Sequence, residues 1–95
     1  MASLFMVCVY ILFSQSIQQH YCGQSDNIDN RLQRHNMGET ISIKHGIPWT
    51  LIGYVPTVSR SEAMKLEKQI KKRGIKRWLD EHGHLLIRKK DDTGG

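Results

Sequence analysis

The chain opens on an unbroken apolar run from Leu4 to Phe13. Val7, Val9 and Ile11 are β-branched, and Phe5, Tyr10 and Phe13 are aromatic. The run therefore predicts a central strand buried on both faces, closed by a turn at Ser14-Gln15-Ser16. Ile17 to Cys22 predicts a second strand ending at Gly23, and so short a connection makes the pair an antiparallel hairpin. With Ser14 to Ile17 as the connection, Phe13 faces Gln18, Tyr10 faces Tyr21, and the two phenols share one face.

Helical spacing follows. Asp26 is placed to cap a helix from Asn27 to about Asn36, with Asp29 in its first turn and Gly38 beyond its end. Ile28 and Leu32 mark its buried stripe, which Arg31 and His35 border. Met37 to Ile47 shows no clear period and predicts a loop. Trp49 to Val55 predicts a third strand, ended by Pro56. Ser59 and Glu62 have capping-box spacing, and Ala63, Leu66 and Ile70 continue at helical intervals. Glu67 lies at the edge of that stripe. Gly74 breaks the helix, Ile75, Trp78 and Leu79 predict a further short helical piece, and Asp91 to Gly95 is expected to be a loose tail.

At 95 residues this pattern has room for one small α/β domain, a three-stranded, mainly antiparallel sheet flanked by helices, and not for a two-domain enzyme. The net charge of +5 is placed unevenly: residues 1–30 contain no Lys or Arg, whereas Arg60 to Lys90 holds eleven basic residues against Glu62, Glu67, Asp80 and Glu81. A basic carboxy-terminal half favours a polyanionic partner. Cys8 and Cys22 lack metal-ligand spacing and read as reduced core thiols. Leu4 to Phe13 is shorter than the roughly 20 residues a bilayer requires. No positive side chain precedes it, and Ser14-Gln15-Ser16 is a poor cleavage sequence, so a cytoplasmic protein without a membrane partner is expected.

No phosphate loop, nucleophile elbow or metal-binding His pair occurs. What stands out is a set: Tyr10 and Tyr21 on the hairpin, Arg31 and His35 on one helix, Glu67 on another. Phosphodiester hydrolysis calls for such groups, because a carboxylate holds a hard cation, Arg stabilises phosphoryl charge, and a phenol or imidazole helps deprotonate water.

The order of these elements resembles the GIY-YIG nuclease superfamily, in particular its small stand-alone members. Val9-Tyr10-Ile11 resembles the first motif with Val in place of Gly, and Tyr21-Cys22-Gly23 the second with Cys in place of Ile. Asn30 to Asn36 looks like the Arg-bearing helix with its following His-Asn. Ser42 to Trp49 looks like the Ser-Thr-Lys-x-Gly-x-Pro-Trp stretch, and Ala63 to Lys72 the helix with the metal-binding glutamate. The likeness runs from about Phe5 to Leu79, which implies a nuclease domain over 4–80 and a basic extension and flexible tail over 81–95.

The resemblance implies that Glu67 binds Mg²⁺ or Mn²⁺ and that Arg31 contacts the scissile phosphate. Tyr10 and Tyr21 orient or activate the attacking water, with His35 as proton acceptor or relay. DNA, including branched or single-stranded forms, is the implied substrate, as in DNA repair members, with a 5′-phosphate and a 3′-hydroxyl as products. Three departures stand out: Ile43 replaces Thr, Gln24 stands where some repair members have Lys, and no Asn follows Glu67. Lys44, Lys68, Lys71, Lys72, Arg73 and Arg77 are expected to contact nucleic acid. Glu67 could instead pair with Lys71 one turn later, against which its place on the apolar edge argues. The rival function is a catalytically weak or inactive nucleic-acid-binding module of the same fold. A third is a small secreted or membrane-anchored basic protein.

Overall fold

The computed structural model describes residues 6–88, so Leu4, Phe5 and the tail Asp91 to Gly95 lie outside the described residues. Strand β1 (Val7–Ser14) is central in a three-stranded sheet, between β2 (Gln19–Ser25) and β3 (Trp49–Thr57), and both pairings are antiparallel. Alternation along β1 sends Val7, Val9 and Ile11 to one face and Tyr10 and Leu12 to the other. Almost every side chain of the strand is buried, as an apolar run without polar alternation requires.

The hairpin register differs from the expected one by two residues. Ser14 pairs with Gln19, Phe13 with His20, and Tyr10 with Gly23 rather than with Tyr21. The turn spans Gln15 to Gln18, with Gln18 in the left-handed region at φ 54° and its amide donating to the Gln15 carbonyl at 2.9 Å. A slip of two keeps every side chain on its predicted face, where a slip of one would have reversed them. The phenols consequently remain together, as diagonal neighbours.

Helix α1 (Ile28–Asn36) is capped by Asn27, whose side chain accepts from the Asn30 N–H at 3.1 Å, and not by Asp26. It lies on the Tyr10 face, where Ile28 and Leu32 pack with Leu12, Ile43 and Trp49. The segment predicted as a loop contains a 3₁₀ turn (Ile41–Gly46). Asn36 ties this end of α1 to β3: its side chain donates to the Trp49 carbonyl at 3.0 Å and accepts from the Trp49 N–H at 2.7 Å. The Trp49 indole donates to the Ile43 carbonyl at 2.8 Å, which fastens the 3₁₀ turn as well.

Helices α2 (Arg60–Arg73) and α3 (Ile75–His82) cover the opposite face. Ser59 caps α2 by accepting from the Glu62 N–H at 3.1 Å, while the Glu62 carboxylate accepts from Val58 rather than closing a box on Ser59. Ala63, Ile70, Trp78 and Leu86 meet Val7, Val9, Ile11 and Cys22 there, each large apolar side chain contributing about 1.5–3 kcal/mol of burial. Gly74, at φ 95°, makes the bend between the helices that a side chain would strain. Pro56 lies inside β3 rather than ending it, which an edge strand permits.

The chain does not leave the fold at residue 80. α3 continues to His82, Leu86 is buried in the apolar core, and Ile87 bridges Tyr54 in both directions, with N···O distances of 3.0 and 2.8 Å. Both cysteines are free, Cys22 buried and Cys8 half-buried. Among the described residues no helix is long and apolar enough to cross a membrane.

Candidate active site

Tyr10 is the centre of the polar cluster. Only 1% of it is exposed, and its ring is 6.3 Å from that of Tyr21 and 6.0 Å from the His35 imidazole. Room for its hydroxyl comes from the partner strand: a Cβ added at Gly23 would lie 2.6 Å from the Tyr10 oxygen and 3.1 Å from the Tyr21 ring. Burial pushes the Tyr10 phenol up to about 12; Arg31 beside it opposes this, and nearby Tyr21 and Glu67 add to it.

His35 is fully buried rather than bordering its helix as expected. Both ring nitrogens have partners, which is what permits the burial. Nε2 lies 2.9 Å from the Tyr10 hydroxyl and Nδ1 2.8 Å from the Thr40 hydroxyl. Burial, with Arg31 and Arg34 nearby, holds the imidazole below its ordinary range, so it is neutral at pH 7. A neutral imidazole carries one ring proton and accepts at the other nitrogen, so Tyr10, His35 and Thr40 form a continuous proton chain. Tyr21 lies edge-on to His35, at 5.3 Å between centroids, and 6.2 Å from the Trp49 ring, so Trp49 closes the cluster behind it.

Glu67 reaches the cluster around edge strand β2, from the layer of helices on the other face. Its Oε1 accepts from the Gln24 side-chain amide at 2.9 Å and its Oε2 from the Lys71 ammonium at 2.6 Å. The pairing with Lys71 is therefore formed, and the Lys71 ammonium also sits 6.0 Å from the Tyr21 ring centroid. Glu67 raises the pKa of Lys71 through this contact. Lys71, predicted to contact nucleic acid, is in this structure part of the site.

The other predicted cations divide. Lys68 lines an open groove beside Glu67. Lys44, Lys72 and Arg77 are exposed, and Arg73 is spent on an ion pair with Glu81. Arg31 is half-buried beside Tyr10. Thr40, Gln24, Gly23 and Trp49 complete the arrangement and were not singled out for roles by sequence.

Among the described residues no three His, Cys, Asp or Glu side chains converge as a metal cage. A single carboxylate, its oxygens met by Gln24 and Lys71, would suit a Mg²⁺-type ion, which needs few protein ligands. The Lys71 ammonium already occupies one of those oxygens and marks the place as one that receives positive charge.

The family model of the GIY-YIG catalytic domain matches residues 6–80. No curated protein and no solved structure matches the chain.

Proposed function

Because the chain belongs to the GIY-YIG family of nuclease domains, we propose that it is an endonuclease that hydrolyses DNA phosphodiester bonds with the help of Mg²⁺ or Mn²⁺, leaving a 5′-phosphate and a 3′-hydroxyl. The observation that carries this reading is the buried Tyr10–His35–Thr40 chain, set beside Arg31 and Tyr21 with Glu67 within electrostatic reach.

A phenol with a pKa near 12 is ionised in only about one molecule in 10⁵ at pH 7, so Tyr10 serves as a relay rather than as a standing phenolate. Water at the Tyr10 hydroxyl gives its proton to that oxygen while Tyr10 passes its own to Nε2 of His35, which becomes imidazolium as Nδ1–H donates to Thr40. The resulting hydroxide forms the new P–O bond in line, the P–O3′ bond breaks, and solvent protonates the departing O3′. Arg31 meets the charge that grows on the phosphoryl oxygens. Tyr21, partly exposed, edge-on to His35 and tilted against Trp49, positions the water. Glu67 would hold the divalent ion, which would supply positive charge at the phosphate. Gln24 fixes the carboxylate's orientation.

Binding without turnover is the second reading, favoured by the Lys71 ammonium on Glu67. Incubating the protein with single-stranded, duplex, flapped and branched DNA in Mg²⁺, Mn²⁺ or EDTA separates the two. The expected result is metal-dependent nicking whose ends a ligase can rejoin. DNA binding with no nick under any metal condition would establish the binding module instead.

A further inference from the structure

The basic residues of α2 are not equivalent, because their pairing splits the helix. Lys71 is bound to Glu67 and Arg73 to Glu81. Arg60, Lys65 and Lys68 make no ion pair among the described residues, and all three line one open groove of about 620 Å³ together with Glu67. The only carboxylate on its wall is Glu67, already neutralised by Lys71, so the groove is strongly positive. Its wall also carries Met64, an apolar side chain left 59% exposed between the cations.

Arg60 is wired to the active site. Its guanidinium donates to the Gln24 side-chain Oε1 at 3.2 Å, and the Gln24 side-chain Nε2 donates to Glu67 at 2.9 Å. One of its five N–H donors is thus committed, and the others have no hydrogen-bond partner among the described residues.

We propose that this groove is the subsite for the DNA strand on one side of the scissile bond, with Arg60 holding a phosphate next to the one that is cleaved. The inference rests on the nuclease reading and deepens it. Unpaired cations around an exposed methionine suit a polyanion with an apolar body, a run of deoxyribose and base between phosphates, better than a small anion. Glu67 is part of the groove's wall, so a strand whose scissile phosphate lies against Arg31 and Glu67 continues into it. Arg60 then fixes which phosphate enters the site, and Lys68 adds a second contact.

The test is equilibrium DNA binding in EDTA at several salt concentrations, beside single-turnover cleavage, for the wild-type protein, Arg60→Gln, Arg60→Lys and, as a charge control outside the groove, Lys76→Gln. Arg60→Gln should weaken binding several-fold and lower the salt slope by about 1. Arg60→Lys should keep most of the affinity, and Lys76→Gln should bind as wild type does. Substrates carrying one neutral methylphosphonate at successive positions give the contact itself: a single position beside the cleavage site should weaken wild type and leave Arg60→Gln unaffected.

Equal sensitivity of both proteins at every position overturns the proposal. So does an Arg60→Gln variant whose turnover falls while affinity and slope hold, for Arg60 is then only a support for Gln24. Oligoglutamate binding as tightly as DNA, and losing it with Arg60, makes the groove a site for acidic peptide. A wild-type protein that neither binds nor cuts any DNA defeats the nuclease reading itself, whereas cleavage with a silent Arg60 defeats the groove alone.

Discussion

The two faces of the sheet obey different rules although one strand supplies both. Toward α2 and α3, β1 presents Val7, Val9 and Ile11, which meet Ala63, Ile70, Trp78 and Leu86 in a cluster whose polar side-chain groups are the Cys22 thiol and the Trp78 indole N–H. Toward α1 it presents Tyr10 and Leu12, and there the buried groups include His35 and Trp49, each hydrogen-bonded at every polar side-chain atom. The first face needs only shape and volume, so many apolar residues would serve. The second needs a particular partner for each polar group, since one left unanswered costs about 1–3 kcal/mol. On the proposed reading the chemistry gathers on the second face, and Glu67 and Lys71 reach it from α2 around β2.

The largest expected effect is on the chemical side. Arg31→Ala should lower single-turnover cleavage by about 10²-fold or more, the usual loss for one preorganised donor, and Glu67→Gln should cost orders of magnitude because a neutral amide holds a hard cation poorly. Both should leave the thermal midpoint close to wild type. Cleavage within a few-fold of wild type in either variant would place that residue outside the site.

Ile70→Ala should do the reverse. It deletes buried bulk from the apolar face and should lose about 2–5 kcal/mol of stability by denaturant unfolding. Turnover, measured where the protein is still folded, should stay within a few-fold of wild type. A large fall in turnover there would mean that the two faces are coupled through the sheet.

What the sequence made legible follows the same division. The apolar face could be read from β1 and from the Ala63, Leu66 and Ile70 stripe, because burial repeats with the period of the element. Tyr10 and Tyr21 were assigned to a common face correctly despite a wrong register, since an error of two residues is invisible to a pattern of period two. His35 was placed at a border because pattern reading counts it as polar. It is buried because Tyr10, 25 residues earlier, and Thr40 answer its nitrogens. Gln24 was read only as a departure from a motif, and its contact with Glu67 spans 43 residues. Such contacts are set by the packed tertiary structure and leave no local period.

A smaller effect tests the crossing point. Lys71→Met removes the ammonium that competes for Glu67 while keeping the apolar stem of the side chain. Mn²⁺ binding to the DNA-free protein, followed by calorimetry, should tighten several-fold, and Lys72→Met should change nothing. If Lys71→Met binds Mn²⁺ no better than wild type, the ion does not take its place at Glu67.

The smallest effect is the response to pH, and it belongs to the polar face. His35 is held below the imidazole's ordinary value of 6.5 by burial and by Arg31 and Arg34, so the folded protein resists a proton that the unfolded chain accepts. Below pH 6.5 the unfolded state therefore binds more protons than the native state, and stability rises with pH through that window. His35 contributes fully above 6.5, and its contribution is lost as pH falls toward its folded value. His20, lowered by burial and then by Lys76, adds in the same direction. The thermal midpoint should accordingly fall between pH 7 and pH 5, less steeply in His20→Gln and less steeply again in His20→Gln/His35→Gln. Cleavage should have its acid limb below 6.5, where His35 becomes protonated and can no longer take the proton from Tyr10. That limb should persist in His20→Gln, because His20 packs tilted against Phe13, 4.9 Å between ring centroids, and takes no part in the Tyr10 chain. A midpoint that stays level from pH 7 to pH 5 would show that His35 is hydrated in solution, and the polar face would then be open to water where the apolar face is closed.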